Sequence, residues 1–253
     1  MPSPLVYFRQ GQGEPLILLH GFASSARFWT TTIAALHDGW DVIALDWPGF
    51  GAASGQAPCS SLPQFAHHFL ALLEHLRLQR CHVMGFSMSG FVVQYLLAHH
   101  AARLHSAVLY GSGPQLDSHR RFEPVGTTLA RLRRDGVDST VDQVLPKWLA
   151  QGINSPAFAA CRRAAQGMTP EAGIAAVQAM ADADFRGQLA QVRTPVLIVQ
   201  GELDHTHPPA SALALWQELP RASLAVLPGC GHAAHLEQPA WFHGMVRSFL
   251  TSR

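Results

Sequence analysis

A short stretch in the first half of the chain, residues 81–93, combines an apolar run, a turn of small residues and a helical pattern. Its sequence is CHVMGFSMSGFVV. This order predicts a strand, a sharp turn and a helix, with Ser87 at the tip of the turn in a strained backbone conformation. Small residues at positions 85, 89 and 90 allow the strand and the helix to close up. The turn would hold a serine hydroxyl in a fixed place, beside the free N–H groups of a helix N-terminus.

Apolar runs alternate with helical patterns on both sides of this turn. Continuous apolar runs such as 15–19 and 41–46 are typical of strands buried on both faces of a parallel sheet. The alternation predicts an α/β fold with a mostly parallel central sheet and helices on both faces. We expect further strands at 5–8, 106–110, 196–200 and 224–227, and helices at 26–36, 63–76 and 240–250. Ser24 or Ser25 is expected to cap the first helix.

The pattern changes after the strand at 106–110. No β-rich run occurs between about 114 and 185, and Ala-rich amphipathic stretches are interrupted there at Gly136, Pro146, Gly152, Pro156 and Pro170. The segment therefore predicts an inserted helical lid. We assign residues 1–113 and 187–253 to the α/β core and residues 114–186 to the lid.

Two of the later predicted strands end in residues that serine chemistry needs. Asp204 follows the strand at 196–200, and His232 follows the last strand after Pro-Gly-Cys-Gly. Catalytic groups in open α/β sheets collect at the carboxyl ends of the strands. A serine hydroxyl needs an imidazole to take its proton, and the imidazole needs a carboxylate to fix its tautomer. Ser87, Asp204 and His232 are thus the predicted catalytic residues.

The sequence His20-Gly21-Phe22 follows the first buried strand. Gly21 would let this loop pass close to the turn at Ser87. The backbone N–H groups of Phe22 and Met88 are then predicted to face a developing oxyanion. His20 itself is interpreted as a structural residue.

Five motifs in this order resemble those of the α/β-hydrolase family. They are His20-Gly21, Asp46-x-Pro48-Gly49-x-Gly51, the nucleophile elbow at Ser87, Gly201-x-x-Asp204, and Gly231-His232 followed by Glu237 and Pro239. The resemblance spans nearly the whole chain, with Ser89 where a second glycine usually stands. It implies a serine hydrolase that cleaves a carboxylic ester, lactone or thioester of a small to medium apolar acyl group, through an acyl-enzyme and without a cofactor.

The branch of the family is indicated by residues 181–186 and the region from 201 to 239, which are similar to 3-oxoadipate enol-lactonases and carboxylesterases. Three alternatives stay open: a carbon–carbon bond hydrolase, a lyase or cofactor-free oxygenase on the same scaffold, and a ligand receptor. A methionine directly after the catalytic serine, like Met88 here, is also found in carbon–carbon bond hydrolases. Those enzymes usually carry tryptophan after the catalytic histidine, where this chain has Ala233.

Several residues compete with these assignments. Asp117 is a second candidate for the acid, and His235 is a second candidate for the base, otherwise a site-wall or surface residue. The pairs His67-His68 and His99-His100 are expected to face solvent. His205 and His207 have no cysteine or carboxylate cluster at ligand spacing, so no metal site is predicted.

The lid contains two groups of candidate binding residues. Trp148, Phe158, Met168 and Met180 are either lid core or acyl-pocket wall. Arg120, Arg121, Arg131, Arg133 and Arg134 form either a solvated helix face or a site for a carboxylate-bearing substrate or an acidic carrier protein.

Composition excludes several classes of partner. The length of 253 residues fits one large α/β domain, and a net charge of +1 gives no reason to expect binding to nucleic acid or to an anionic membrane. No apolar run approaches the roughly 18 residues of a membrane span. The N-terminus lacks a signal-peptide pattern and the four cysteines are scattered, so we expect a cytoplasmic protein with free thiols.

Overall fold

Seven strands form one sheet in the protein, whose computed structural model describes residues 4–116 and 122–252. The strands are β1 (Val6–Gln10), β2 (Glu14–Leu19), β3 (Trp40–Asp46), β4 (Cys81–Phe86), β5 (Leu104–Tyr110), β6 (Val196–Gly201) and β7 (Ala222–Leu227). Their spatial order is β1-β3-β2-β4-β5-β6-β7. Only β1 is antiparallel to its neighbour, and the other five pairings are parallel.

Burial explains why the central strands lack polar alternation. Every residue of β3, β4 and β6 is buried, whereas β1 and β7 at the two edges are largely half-buried or exposed. Helices on both faces of a parallel sheet produce this contrast. The predicted α/β architecture is confirmed.

Nine α-helices accompany the sheet in the described part of the chain. They are α1 (Thr30–Leu36), α2 (Leu62–His75), α3 (Met88–His99), α4 (Val125–Trp148), α5 (Phe158–Ala164), α6 (Pro170–Ala181), α7 (Pro209–Glu218), α8 (Ala234–Glu237) and α9 (Pro239–Thr251). The sequence prediction missed α7 and α8. No helix in the described ranges is both long and apolar enough to cross a membrane.

The start of the first helix differs from the prediction. Residues Ala26–Trp29 form a 3₁₀ turn before α1, and neither candidate serine caps it. The Ser25 hydroxyl donates instead to the carbonyl of Ala164, 2.7 Å away at the end of α5. A bond to a residue 139 positions away replaces the local cap, because the lid packs against this turn.

Helices α4, α5 and α6 lie between β5 and β6, in the segment assigned to the lid, and their role as a lid stays a prediction. Gly136 interrupts α4 with φ 78° and ψ −170°, whereas Pro146 lies within the helix and does not end it. The two ends of the lid segment meet, since the Phe185 N–H donates to the Pro114 carbonyl at 2.7 Å. The exact domain boundaries at 113 and 187 stay a prediction.

Candidate active site

Ser87 lies in the tight turn between β4 and α3. Its φ of 54° and ψ of −113° are a strained conformation for a residue with a side chain. The turn is held by hydrogen bonds from the Ser87 N–H to the Tyr110 carbonyl and from the Gly90 N–H to the Ser87 carbonyl, both 2.8 Å. A Cβ atom on Gly85 would lie 2.4 Å from the Ser89 carbonyl oxygen. Glycine at position 85 is therefore required for strand and helix to pack this closely.

His232 and Asp204 form a buried pair at the same edge of the sheet. Nδ1 of His232 lies 2.6 Å from Oδ2 of Asp204, and both side chains are fully buried. Because the carboxylate can only accept, Nδ1 carries the proton and Nε2 is left as the basic nitrogen. This is the tautomer that a general base toward serine requires.

The carboxylate of Asp204 is held on both oxygens. Oδ1 accepts the backbone N–H groups of Thr206 at 2.7 Å and His207 at 3.0 Å, and Oδ2 also accepts from Gln200 Nε2 at 2.7 Å. Burial is the largest single cause and acts to raise the pKa of Asp204, but the charges and hydrogen bonds of His232 and His207 together outweigh it, so the net pKa is lowered. The group is thus held ionised in the protein interior.

The imidazole of His232 is fixed by its surroundings. Its backbone N–H donates to the Trp148 carbonyl at 2.6 Å, its ring centroid lies 4.6 Å from that of Phe86, and the ring of His207 stacks on it at 5.8 Å. Nε2 is buried and has no hydrogen-bond partner among the described residues, so it is not bonded to Ser87 in this structure. Such catalytic bonds commonly tighten only when a substrate binds.

The predicted oxyanion donors flank the serine. Gly21 passes close to the turn, because a Cβ there would lie 3.1 Å from Cβ of Ser87. Phe22 follows directly and lines the same cavity as Ser87. Met88 is the first residue of α3, where a backbone N–H has no acceptor within the helix. The loop and the helix thus converge on the serine from two sides.

A buried network that the sequence analysis did not identify fixes this loop. The Ser89 hydroxyl donates to the His20 carbonyl and accepts from Nε1 of Trp47 at 2.9 Å. Nε2 of His20 accepts the Trp47 backbone N–H at 3.1 Å, and burial lowers the pKa of His20 and keeps it neutral. The departure from the usual glycine at position 89 was the available sequence signal for this link.

A narrow cavity of about 20 Å³ lies between the serine and the lid. It is lined by Phe22, Ser87, Thr128, Val144, Trp148, Val177, Met180, Thr206 and His207. Of the four predicted pocket residues, Trp148 and Met180 are in this wall. Met168 is buried beside Gly173 within the lid, and Phe158 is half-buried on α5 outside the lining. Periodicity alone does not distinguish the helix faces that point to the cavity from those that point to the lid core.

The lid arginines that the structure describes do not share one surface. Arg120 and Arg121, like the alternative acid Asp117, lie outside the described residues. Arg131 is buried and makes a bidentate ion pair with Glu123 at 2.8 and 3.0 Å, so the prediction of a solvated face is wrong for it. Arg133 and Arg134 are exposed. Anion binding by these residues stays a prediction.

His235 is neither a surface residue nor part of the cavity wall. It is fully buried, with Nε2 donating to the Phe28 carbonyl at 3.0 Å and Nδ1 accepting from the Tyr110 hydroxyl at 3.1 Å. Burial lowers its pKa to about 3. His68, predicted to face solvent, is also buried. Within residues 4–116 and 122–252, no group of three histidine, cysteine or carboxylate side chains is placed to hold a metal ion.

Comparison with known proteins gives matches over almost the full length. The family model described as alpha/beta hydrolase fold matches residues 14–239. The chain is 29% identical over 255 residues to a pimeloyl-(acyl-carrier protein) methyl ester esterase of Aeromonas hydrophila subsp. hydrophila, covering 96% of this chain and 97% of that protein. It is 25% identical over 247 residues to 3-oxoadipate enol-lactonase 2 of Acinetobacter baylyi, covering 96% and 91%.

Solved structures agree with these matches. A thermophilic esterase from Thermogutta terrifontis superposes with a TM-score of 0.89 at 26% identity, covering 98% of this chain and 93% of that one. An enol-lactonase from Burkholderia xenovorans LB400 gives a TM-score of 0.90 at 24% identity, with 98% and 96% covered, and shares the fold.

Proposed function

The chain belongs to the α/β-hydrolase family, and we propose that it is a carboxylic ester or lactone hydrolase that works through an acyl-enzyme on Ser87. The observation that carries this proposal is the buried His232–Asp204 pair beside a serine in a strained strand-to-helix turn. The names of the similar esterase and enol-lactonase support the same class of substrate.

Proton transfer begins at the basic nitrogen of the histidine. Nε2 of His232 takes the proton of the Ser87 hydroxyl as the serine oxygen attacks the substrate carbonyl carbon. Asp204 stays ionised and stabilises the imidazolium that forms. The negative charge on the carbonyl oxygen is bound by the N–H groups of Phe22 and Met88, and one such donor is typically worth about 10²–10³ in rate.

Collapse of this intermediate releases the alcohol. His232 gives its proton to the leaving oxygen, and the acyl group stays on Ser87. Water then enters, His232 removes its proton, and the second tetrahedral intermediate breaks down to the acid and the free serine. In a lactone the leaving oxygen stays attached, so one hydroxy acid is released.

The cavity limits the acyl group. Its volume of about 20 Å³ is far below the range of about 300–1,000 Å³ of small-molecule sites, so the helices over the serine have to shift before an acyl group can enter. Val144, Trp148, Val177 and Met180 give most of the lid side an apolar surface. The apolar character of this wall favours an apolar acyl chain.

The test combines labelling with turnover. Wild type, Ser87→Ala and Ser54→Ala are treated with a fluorophosphonate probe and assayed with p-nitrophenyl butyrate. Ser54 is exposed and serves as the matched serine control. We expect labelling and turnover in wild type and Ser54→Ala, and neither in Ser87→Ala. Labelling without turnover would favour a lyase or a receptor, and the absence of both in folded wild type would contradict the proposal.

A further inference from the structure

One wall of the cavity carries a hydroxyl group that is buried without a partner. Thr206 is 5% exposed and lines the cavity together with Ser87. Its Oγ1 has no hydrogen-bond partner among the described residues, although its backbone N–H donates to Asp204. Leaving a buried hydroxyl unpaired costs about 1–3 kcal/mol. A molecule bound in the cavity could therefore supply the acceptor for this hydroxyl.

The other threonine of the wall is differently placed. The Thr128 hydroxyl donates to Oε1 of Glu123 at 2.6 Å, so its own hydrogen is already used. The Thr206 hydroxyl makes no hydrogen bond to a described residue, so its hydrogen is available to donate. A substrate atom that accepts a hydrogen bond satisfies it.

The charge of the wall decides which kind of acceptor fits. No arginine, lysine, aspartate or glutamate occurs among the described lining residues. The buried arginine behind the wall, Arg131, is already paired with both oxygens of Glu123. A carboxylate on the acyl group would lose its hydration without gaining an arginine or lysine partner among the described lining residues, and burial of an unpaired charge is costly. A neutral oxygen has no such penalty.

We propose that the Thr206 hydroxyl donates a hydrogen bond to a neutral oxygen on the acyl group of the substrate. The substrates are then esters or lactones whose acyl chain carries a keto, ether or hydroxyl oxygen, with the remaining carbons against Val144, Val177 and Met180. This inference rests on the proposed ester hydrolysis. It makes Thr206 a specificity-determining residue, and it disfavours acyl groups that end in a free carboxylate.

The experiment uses a matched set of methyl esters, with methanol release as the assay. Methyl hexanoate is compared with methyl 3-oxo-, 4-oxo- and 5-oxohexanoate, and monomethyl glutarate supplies the acid. The enzymes are wild type, Thr206→Val, Thr206→Ser and Thr31→Val. Thr206→Val keeps the shape and removes the hydroxyl, Thr206→Ser keeps the hydroxyl, and Thr31 is an exposed threonine on α1.

For wild type we expect at least one oxo ester to exceed methyl hexanoate in kcat/KM by about tenfold, since a site built around a hydrogen bond rejects the analogue that lacks it. Monomethyl glutarate should be the poorest substrate. In Thr206→Val the ratio of oxo ester to hexanoate should fall toward one, while Thr206→Ser and Thr31→Val retain it. Thermal unfolding of each variant checks that it is folded.

Two results would overturn the inference while leaving ester hydrolysis intact. One is a wild type that prefers none of the oxo esters, or that prefers the acid. The other is a folded Thr206→Val variant that loses activity on all esters by the same factor. If methyl hexanoate and the oxo esters all fail and Ser87 is not labelled by fluorophosphonate, the proposed function itself has failed.

Discussion

Nδ1 of His232 lies 2.6 Å from Oδ2 of Asp204 in a fully buried pair whose acid accepts three further hydrogen bonds. Both carboxylate oxygens of Asp204 therefore accept hydrogen bonds. Gln200 and two backbone N–H groups determine its orientation, and His232 takes the remaining position. The pair therefore fixes which ring nitrogen is basic.

Asp204→Asn should lower kcat by about 10³–10⁴, because an amide facing Nδ1 favours the wrong histidine tautomer. The loss should be smaller than that of Ser87→Ala, and fluorophosphonate labelling should slow in parallel with ester turnover. The measurement is kcat for p-nitrophenyl butyrate at saturating substrate. If Asp204→Asn retains wild-type kcat while Asp117→Asn does not, Asp117 is the acid.

His235 should make stability depend on pH in the acidic range. Its folded pKa of about 3 lies below the unfolded value of about 6.5, so the unfolded chain binds the proton more tightly. The contribution of neutral His235 to the free energy of unfolding is fully present above about pH 6.5 and is lost as the pH falls toward 3. Between pH 7 and 5 the loss is about 2 kcal/mol.

Urea unfolding at pH 7 and pH 5 measures this decrease in the free energy of unfolding. The decrease should be about 2 kcal/mol smaller in His235→Gln than in wild type, whereas His99→Gln, at an exposed position, should behave like wild type. If His235→Gln does not fold, the NMR titration of His235 in wild type gives the same answer. A signal assigned to His235 that titrates near pH 6 would contradict the lowered pKa of this residue.

The sequence was sufficient for features that depend on local patterns. The run at 15–19 is apolar throughout because β2 is buried between β3 and β4, and burial leaves no place for polar alternation. Ser87, Asp204 and His232 could be predicted together because each follows a parallel strand, and the carboxyl ends of parallel strands share one edge.

For features that depend on distant contacts, the sequence did not identify the partner. Ser25 looked like a helix cap, but its hydroxyl reaches Ala164 in the lid. Ser89 looked like a tolerated small residue, but it bonds to His20 and Trp47. Neither partner is encoded by spacing, since each contact exists only after the lid and the loops have packed.

Ser89→Gly should lower kcat by about three- to tenfold with KM changed less than twofold. The hydroxyl holds the His20 carbonyl in the loop that leads to Phe22, so its loss should loosen an oxyanion donor that acts in the transition state. Steady-state kinetics with p-nitrophenyl butyrate gives both constants. Trp47→Phe, which removes the indole N–H, should show the same pattern. An increase in KM at unchanged kcat would instead indicate a role in substrate binding.

Gly111→Ala should damage the site more than the fold. Gly111 has φ +58°, and a Cβ there would lie 3.0 Å from Cε1 and Nδ1 of His232. The ring must shift, and a small displacement of a catalytic group can cost about 10² in rate. Gly187→Ala is the matched control, since Gly187 has φ +74° but nothing within 4 Å of the added carbon. Both variants should lose about 1–2 kcal/mol of stability in urea unfolding, and only Gly111→Ala should lose kcat. Equal activity in the two variants would show that the His232 ring has room to move.

Val177→Phe should shorten the longest acyl chain that the enzyme accepts. Val177 lies on α6 and lines the cavity, so a larger side chain fills space that a substrate needs. With p-nitrophenyl esters from acetate to octanoate, kcat/KM for the long chains should fall by about tenfold or more, and acetate should be affected least. Gln178→Phe, one residue along the same helix and exposed, is the control for effects on α6 itself. If the dependence on chain length is the same in wild type and Val177→Phe, the acyl group does not occupy this cavity.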